Sequence, residues 1–550
     1  MPIRKSFADL VFTGGPVHRV NAARSRATAV AVSDGRIVAV GHDKDVRDLI
    51  GSRTEVVDLA GRLLLPGFHD AHVHPVLAGV AMLQCALQGL TTAGEYLDAV
   101  HTYALAHPER PWVTGAGWSM EAFPGGTPHK ALLDTVLTDR PVLLINRDGH
   151  GAWANSKALA LAGITRDTPD PADGRIERDG DGEPTGMLQE GAVALISALQ
   201  PDKTPEELAA GLLTAQRHLH SLGITGWQDA GIGPGFHGDL YRTYLDAAVS
   251  GELTARVVGA HWWDRAGGAD QIKLFEERRA EAVVGRFRAT TVKMMLDGIA
   301  ENFTAAMLEP YLDGCGCPGP SSGLDFIDPA LLAGYVTELD AAGFQVHFHS
   351  LGDRAVRLAL DAVAQARRDN GPTDGRHHLA HIQVVHPDDL PRFRELGAAA
   401  NLQALWARHE PQMDDLTIPY LGERRAGWQY PFGSLQRAGA MLVAGSDWPV
   451  SSADPLAAVH TAVNRTVPGS GGAPPFLPGE RISLDAAIAA YTSGSTWVNH
   501  LDAVAGSIDP GKYADLVVLD RDPFAGPPDE IAATSVLRTY VEGQLVHATA

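Results

Sequence analysis

Short apolar runs alternate with amphipathic stretches through the middle of the chain, and this pattern predicts an α/β fold. Stretches such as TPEELAAGLLTAQRHLHSL and PALLAGYVTELDAA have the spacing of helices with one apolar face. Eight strands that alternate with helices predict a (β/α)8 TIM-like barrel over residues 63–504. The predicted strands are 63–68, 222–230, 255–262, 290–296, 343–349, 377–383, 397–403 and 440–447.

The two ends of the chain have a different pattern, with short β-type runs separated by turn residues. Asp34-Gly35 is a hairpin signal near the N-terminus, and KYADLVVLDRDP near the C-terminus resembles the early segment FADLVFTGG. The similar β character of both ends predicts one small, composite β-sandwich domain made of residues 1–62 and 505–550.

The distance between the first and second predicted barrel strands is too long for one helix. We therefore expect residues 85–195 to form an inserted lid or substrate subdomain over one end of the barrel.

Composition excludes several classes of partner. The net charge of −21 disfavours nucleic acid, and no apolar run is long enough to span a membrane. The three cysteines do not suggest a disulfide framework, and the first fifteen residues lack the apolar core of a signal peptide, so we expect a cytoplasmic protein.

Cys315-Gly-Cys317 could bind a soft metal, although a Gly/Pro-rich loop is the simpler interpretation. A homodimer is the default expectation for a large barrel enzyme.

Metal-binding residue types recur where the predicted strands end, which is the face where barrel enzymes place their active sites. His72 and His74 are two apart, so in a strand they point to the same side and can share one ion. His69 lies off this pattern, and His347 is expected to pack below the site or to support it. Taken singly, each residue has a structural alternative, such as helix capping by Asp447. The candidate set is His72, His74, Lys293, His349, His381 and Asp447.

The segments PGFHDAHVHP, VKMMLDG, HFHSLGDRAV, HHLAHIQ and GSDWPV together resemble the amidohydrolase superfamily. GHGAWANSKAL and GEPTGMLQEGA are similar to the branch, family 3, that includes N-substituted formamide deformylase. The resemblance implies that the six candidates bind one or two divalent ions, with Zn²⁺ expected, and that a metal-bound hydroxide is the nucleophile. It also implies that Asp447 acts as acid and base and that Lys293 carries a CO2-derived carbamate bridging two ions. The alternative is that Lys293 pairs with Asp297 or another acid.

The implied activity is hydrolysis of a non-peptide C–N bond, an amide, in a small molecule. Deamination, hydrolysis of a cyclic amide or ester, and a non-catalytic barrel that only binds ligands remain alternatives. Aromatic and polar residues of the insert and of a late loop are expected to contact the substrate, although the tryptophans could instead pack the insert. These residues are Trp118, His150, Trp153, Asn155 and Trp406. Glu190 could reach the site or simply start a helix.

Overall fold

Eight parallel strands form the centre of the molecule in a computed structural model. The structure describes residues 7–233 and 238–549. Residues 1–6, on which part of the signal-peptide expectation rests, lie outside the described residues. The strands are β1 (Phe68–Val73), β2 (Ile224–Ile232), β3 (Arg256–Trp262), β4 (Phe287–Met295), β5 (Gln345–Ser350), β6 (His378–His381), β7 (Ala399–Leu402) and β8 (Met441–Ala444).

Each barrel strand pairs in parallel with its neighbour in chain order, which confirms the predicted (β/α)8 class. Strands β1 and β8 meet just beyond the regular ladder, where the Asp447 backbone N–H donates to the carbonyl oxygen of His72 at 2.7 Å. Gly445 makes this approach possible, because a Cβ at this position would lie 2.5 Å from the His72 Cβ. Barrel closure and placement of His72 beside Asp447 therefore depend on the same contact.

Helices cover the outside of the barrel and bury apolar faces against it. The helix before β2 starts at a capping box, in which Thr204 and Glu207 satisfy each other's backbone N–H groups. Among the described residues, no helix is both long and apolar enough to cross a membrane. The helices around the barrel are Pro75–Met82, Pro205–Ser221, Leu240–Ser250, Ile272–Glu281, Pro329–Ala341, Asp353–Asn370, Leu390–Leu396, Ile418–Ala426, Phe432–Arg437, Pro455–Asn464, Leu484–Ala489 and Ser495–Val498.

The two chain ends form a sandwich of two sheets, as predicted. One sheet has the order Arg36–Gly41, Ala29–Ser33, Leu10–Thr13 and Glu55–Asp58. The other has the order Gln544–Ala548, Val536–Val541, Leu516–Leu519, Leu63–Pro66, Val17–His18 and Arg26–Ala27. Phe12 from the first sheet and Leu64, Leu516 and Tyr540 from the second share one buried core.

One strand assignment is wrong. The run 63–68 was expected to be the first barrel strand, but Leu63–Pro66 pairs antiparallel with Leu516–Leu519 in the terminal sheet. The barrel begins only at Phe68. Both strands are buried along their whole length, but only Leu63–Pro66 is continuously apolar, so the apolar pattern alone points to the wrong one of the two.

The segment between the first two barrel strands contains a sheet of its own. Its strand order is Gly174–Arg178, Pro184–Glu190, Gly151–Ala154, Val142–Asn146, Val113–Trp118 and Cys85–Ala86. The helices Ala93–Ala106, Lys130–Asp134, Ser156–Leu161 and Ala194–Ser197 accompany it. This sheet has separate buried cores on its two faces, so the segment packs as a unit.

Candidate metal centre and active site

The carboxylate of Asp447 lies between two imidazoles at the C-terminal end of β1. Its Oδ1 atom is 3.1 Å from Nε2 of His72 and 3.3 Å from Nε2 of His74. Asp447 follows β8, so the closing contact of the barrel brings these three side chains together. Burial works against ionisation of Asp447, but the imidazoles of His72 and His74 lower its pKa well below the usual value.

Two further imidazoles, from β5 and β6, face the same carboxylate. The rings of His349 and His381 are 4.4 Å apart, and Nδ1 of His381 lies 3.9 Å from Oδ2 of Asp447. The Nδ1 atoms of His74 and His381 and the Nε2 atom of His349 are buried without a hydrogen-bond partner among the described residues. Buried polar atoms normally find partners, so these nitrogens are free to coordinate an ion.

The donor set suits a divalent metal ion. One ligand atom each from His72, His381 and Asp447 lies within 4.8 Å of the other two. Imidazole nitrogen and carboxylate oxygen are ligands that zinc and similar ions accept. Burial and the nearby Lys293 lower the pKa of His72 to about 3, and burial lowers the pKa values of His349 and His381 well below normal. All three imidazoles are therefore neutral at pH 7, the form that binds metal.

Two residues behind the site fix its geometry. Nε2 of His347 lies 2.8 Å from Nδ1 of His72, which leaves Nε2 of His72 facing Asp447. Asp70 accepts backbone N–H groups from both His72 and Ser446, each at 3.0 Å. The supporting role expected for His347 fits this contact. Asp70 was not singled out from the sequence, although an acid inside an apolar strand is a signal that could have identified it.

Lys293 on β4 is buried and lines the same cavity. Burial lowers the pKa of its amine to about 7, and Asp447 opposes that shift. The Asp297 carboxylate accepts backbone N–H groups from Ala306, Leu351 and Gly352, and it forms no ion pair with Lys293 in the described part of the chain.

A cavity of about 840 Å³, which we call the main cavity, opens between the barrel and the insert above these residues. The six candidates all line it. Its size falls in the range of small-molecule sites. Its apolar wall includes Leu77, Trp112, Ile145, Trp262, Met295 and Val450.

The expected substrate contacts divide into two groups. His150 lines the main cavity, and Trp406 stacks on His381 at the edge of a smaller adjoining cavity. Trp118 and Trp153 are fully buried in the insert core, and neither lines these cavities. Asn155 is also buried, where it caps the helix Ser156–Leu161. The expectation that Trp118, Trp153 and Asn155 contact substrate is corrected: packing and capping explain them.

His150 forms a pair with Glu190 at the rim of the metal-binding residues. Its Nδ1 atom lies 2.8 Å from the Glu190 carboxylate, which also accepts from the hydroxyl of Thr304 at 2.6 Å. The His150 ring is 5.2 Å from the ring of His349. Glu190 therefore reaches the site from the end of the strand Pro184–Glu190, and it also stands at the start of the 3-10 helix Gly191–Val193.

Unusual backbone conformations concentrate here. His381, Asp447 and Glu190 have φ angles of 75°, 56° and 52°, in the left-handed region that L side chains rarely adopt. Such strain persists only where the surrounding structure enforces it, and it is typical of functional sites.

Known proteins are similar to this chain in sequence and in fold. The family model described as "Amidohydrolase family" matches residues 55–547. N-substituted formamide deformylase from Arthrobacter pascens is 30% identical over 98% of this chain and 98% of that protein. Protein LONG AFTER FAR-RED 3 from Arabidopsis thaliana is 32% identical over 98% of this chain and 92% of that protein. An uncharacterized metal-dependent hydrolase from Pyrococcus furiosus has a crystal structure that matches with a TM-score of 0.71 at 25% identity, covering 94% of this chain and 99% of that one. The chain therefore belongs to the amidohydrolase family.

Proposed function

We propose that the protein hydrolyses a non-peptide C–N bond, an amide, in a small molecule. The observation that carries the proposal is the convergence of the imidazoles of His72, His74 and His381 on the Asp447 carboxylate in the main cavity, with the ring of His349 beside that of His381. Family membership and the likeness to a formamide deformylase support the same reaction class. A non-catalytic barrel is less consistent with the site, because all six candidate positions keep a residue able to take part.

In this proposal, His72, His74, His349, His381 and Asp447 hold one or two divalent ions, with Zn²⁺ the expected metal. A bound ion of this kind polarises the scissile carbonyl and lowers the pKa of water to about 7. The unpartnered nitrogens of His74, His349 and His381 support this assignment, since an ion would satisfy them.

Lys293 is proposed to join the metal site as a carbamate formed with CO2. An ammonium beside a cation is repulsive, whereas a carbamate is an anionic ligand that can bridge two ions. Only the neutral amine reacts with CO2, and a pKa of about 7 supplies that form at physiological pH. Asp297 already accepts three backbone N–H groups, which supports the carbamate over an ion pair of Lys293 with Asp297.

Asp447 is proposed to move the proton. Its carboxylate takes a proton from the attacking water and delivers it to the nitrogen of the amide as the C–N bond breaks. The water oxygen stays on the acyl carbon as a carboxylate, and the nitrogen leaves as an amine. Residues of the insert, such as Ile145 and His150, line the main cavity together with the barrel residues that would face the substrate.

The best single substrate class to test is an N-substituted formamide. The apolar wall of the main cavity suits a bulky substituent on nitrogen, and the relative from Arthrobacter pascens is a deformylase by name. A panel of formamides, acetamides, lactams and ring amines, assayed with zinc-loaded protein, tests the proposal. Release of amine from an acyclic amide, lost on chelation and restored by metal, is expected. Turnover of ring amines alone, or amide turnover that survives complete metal removal, would refute it.

A further inference from the structure

A second, smaller cavity of about 50 Å³ adjoins the metal-binding residues on the side of β6 and β7. It shares His150, His349, His381 and Asp447 with the main cavity, so a bound substrate can extend into both. A water molecule needs roughly 10–15 Å³ of such space, so the pocket holds a group of only a few heavy atoms. We call it the acidic pocket because carboxyl groups line much of its wall. Its lining includes Arg147, Asp148, Glu301, Glu410, Gln412 and Tyr430.

The charges around the acidic pocket do not balance. Four carboxyl groups, those of Asp148, Glu301, Glu410 and Asp447, line it beside one guanidinium, that of Arg147, and Glu410 also pairs with Arg408 at 3.2 Å. Arg147 donates to Glu121 at 3.3 Å and to the side chain of Gln412, and it lies 3.8 Å from both Asp148 and Glu410. The pocket therefore has an excess of negative charge and no uncommitted cation on its wall among the described residues.

Hydrogen-bond acceptors are also in excess. Among the described residues, Glu301 accepts one side-chain hydrogen bond, from the hydroxyl of Thr417 at 2.5 Å, and one from its own backbone, so part of the acceptor capacity of this carboxyl is unused. Tyr430 is 2% exposed and lines the pocket, yet its hydroxyl has no hydrogen-bond partner in the described part of the chain. A buried phenol normally finds a partner, so this hydroxyl is an independent sign of a missing ligand. Its backbone is also strained, with φ at 46°.

We propose that the acidic pocket binds a small organic cation with several N–H donors, a primary ammonium or guanidinium group, carried by the substrate. The cation donates to Glu301 and to the hydroxyl of Tyr430. The positive charge of the ligand balances the negative charge of the pocket wall. Ionisation of that wall is costly without a cation, because burial raises the pKa of Glu301 to about 7. The face of Trp406 at the pocket edge adds a favourable surface for a cation.

The inference rests on the proposed amide hydrolysis only in assigning the cation to the substrate. It narrows the substrate class to amides with a basic group a few bonds from the scissile carbonyl. The bulkier, apolar part of the molecule then lies in the main cavity.

Direct binding tests the proposal without turnover. Propylammonium and 1-propanol, matched in size and differing in charge, are titrated calorimetrically into zinc-loaded protein at neutral pH. Propylammonium is expected to bind saturably, and the alcohol is not. Glu301→Gln keeps the shape and removes the charge, and it is expected to weaken binding by about tenfold, which corresponds to about 1.4 kcal/mol. Tyr430→Phe is expected to weaken it about threefold.

Asp415→Asn, an exposed change on the same loop, is the matched control and should leave binding unchanged. Equal affinity of wild type, Glu301→Gln and Tyr430→Phe for propylammonium would overturn the proposal, as would equal binding of propanol. If chelation abolishes the binding of propylammonium and Glu301→Gln leaves it unchanged, the amine binds to the metal, and this result would also overturn the proposal. Because no reaction is measured, failure of the amide assay leaves these results interpretable.

Discussion

Nε2 of His72 lies 3.1 Å from Oδ1 of Asp447, and the backbone N–H of Asp447 donates to the carbonyl of His72. The proposed proton carrier is thus fixed to a proposed metal ligand through both backbone and side chain. Asp447→Asn keeps the side-chain size and removes the base. We expect kcat/KM for the best amide substrate to fall by about 10²–10⁴-fold while the fold is retained.

Steady-state kinetics, metal analysis and circular dichroism check this prediction. Asp388→Asn, at a highly exposed aspartate, serves as the control and should behave as wild type. Near-wild-type turnover by Asp447→Asn with a normal metal content would remove Asp447 from the proton-transfer role.

The proposed carbamate on Lys293 can be tested by mass spectrometry. Native mass spectrometry in bicarbonate buffer is expected to show the mass of one bound CO2, and Lys293→Met should lose it together with part of the metal. The reason is that burial lowers the pKa of this amine, which lines the cavity beside the metal-binding residues, to about 7. Lys157→Met, at an exposed lysine, should keep both. An unmodified lysine in protein with its full metal complement would contradict the carbamate.

The Glu190 carboxylate contacts Nδ1 of His150 and so fixes the orientation of the imidazole at the cavity. We expect Glu190→Gln to make that orientation less well defined. The lost charge-assisted hydrogen bond is worth about 1.5 kcal/mol, or about a tenfold fall in kcat/KM. A fall in kcat with little change in KM would place the effect on the reacting state rather than on substrate affinity. Glu183→Gln, an exposed change near the start of the same strand, is the control. Unchanged kinetics in Glu190→Gln would show that the pair has no positioning role.

Two helices approach closely just after His74. A Cβ on Gly79 would lie 1.9 Å from the carbonyl oxygen of Gly211, so Gly79→Ala must push the helix Pro75–Met82 outward. We expect this change to lower the free energy of unfolding by about 1–3 kcal/mol, measured by denaturant titration. Gly94→Ala, in a helix where the new Cβ meets nothing within 4 Å, should be neutral or stabilising by up to about 1 kcal/mol. Equal stability of the two variants would contradict the close contact.

The raised pKa of Glu301 predicts how the stability of the protein depends on pH. Its folded pKa of about 7 lies above the unfolded value of about 4.3, so the folded state binds more protons between these values. Stability contributed by the protonated carboxyl is therefore complete below pH 4.3 and is lost as the pH rises through 7. Glu301→Gln removes this loss, so its Tm should exceed that of wild type more at pH 8 than at pH 5. Parallel Tm curves for the two proteins would refute the shifted pKa.

Much of the site could be predicted because a barrel gathers the C-terminal ends of its strands at one face. His72, His349 and Asp447 lie far apart in sequence, yet each follows or ends a strand, and barrel geometry alone predicts that they meet. The structure brings them together as expected.

Other features could not be read from the pattern. The indole of Trp118 is as well suited to a packed core as to a pocket wall, and only the paired strands of the insert show that it is buried. Leu63–Pro66 is apolar and Phe68–Val73 carries polar residues, yet both are fully buried strands, and only the pairing shows that they belong to different sheets. Glu301 and Tyr430 lie outside regular strands, where the sequence has no periodicity to indicate which way a side chain points.

The pairing of Leu63–Pro66 with Leu516–Leu519 sets an order of events during synthesis. Leu63–Pro66, which leads into the strand of His72, can pair with Val17–His18 early, but it gains its second partner only when nearly the whole chain has left the ribosome. At typical elongation rates that delay is roughly 20–90 seconds. One edge of this apolar strand stays open for that time, so the nascent chain is a stage at which the protein needs protection from aggregation.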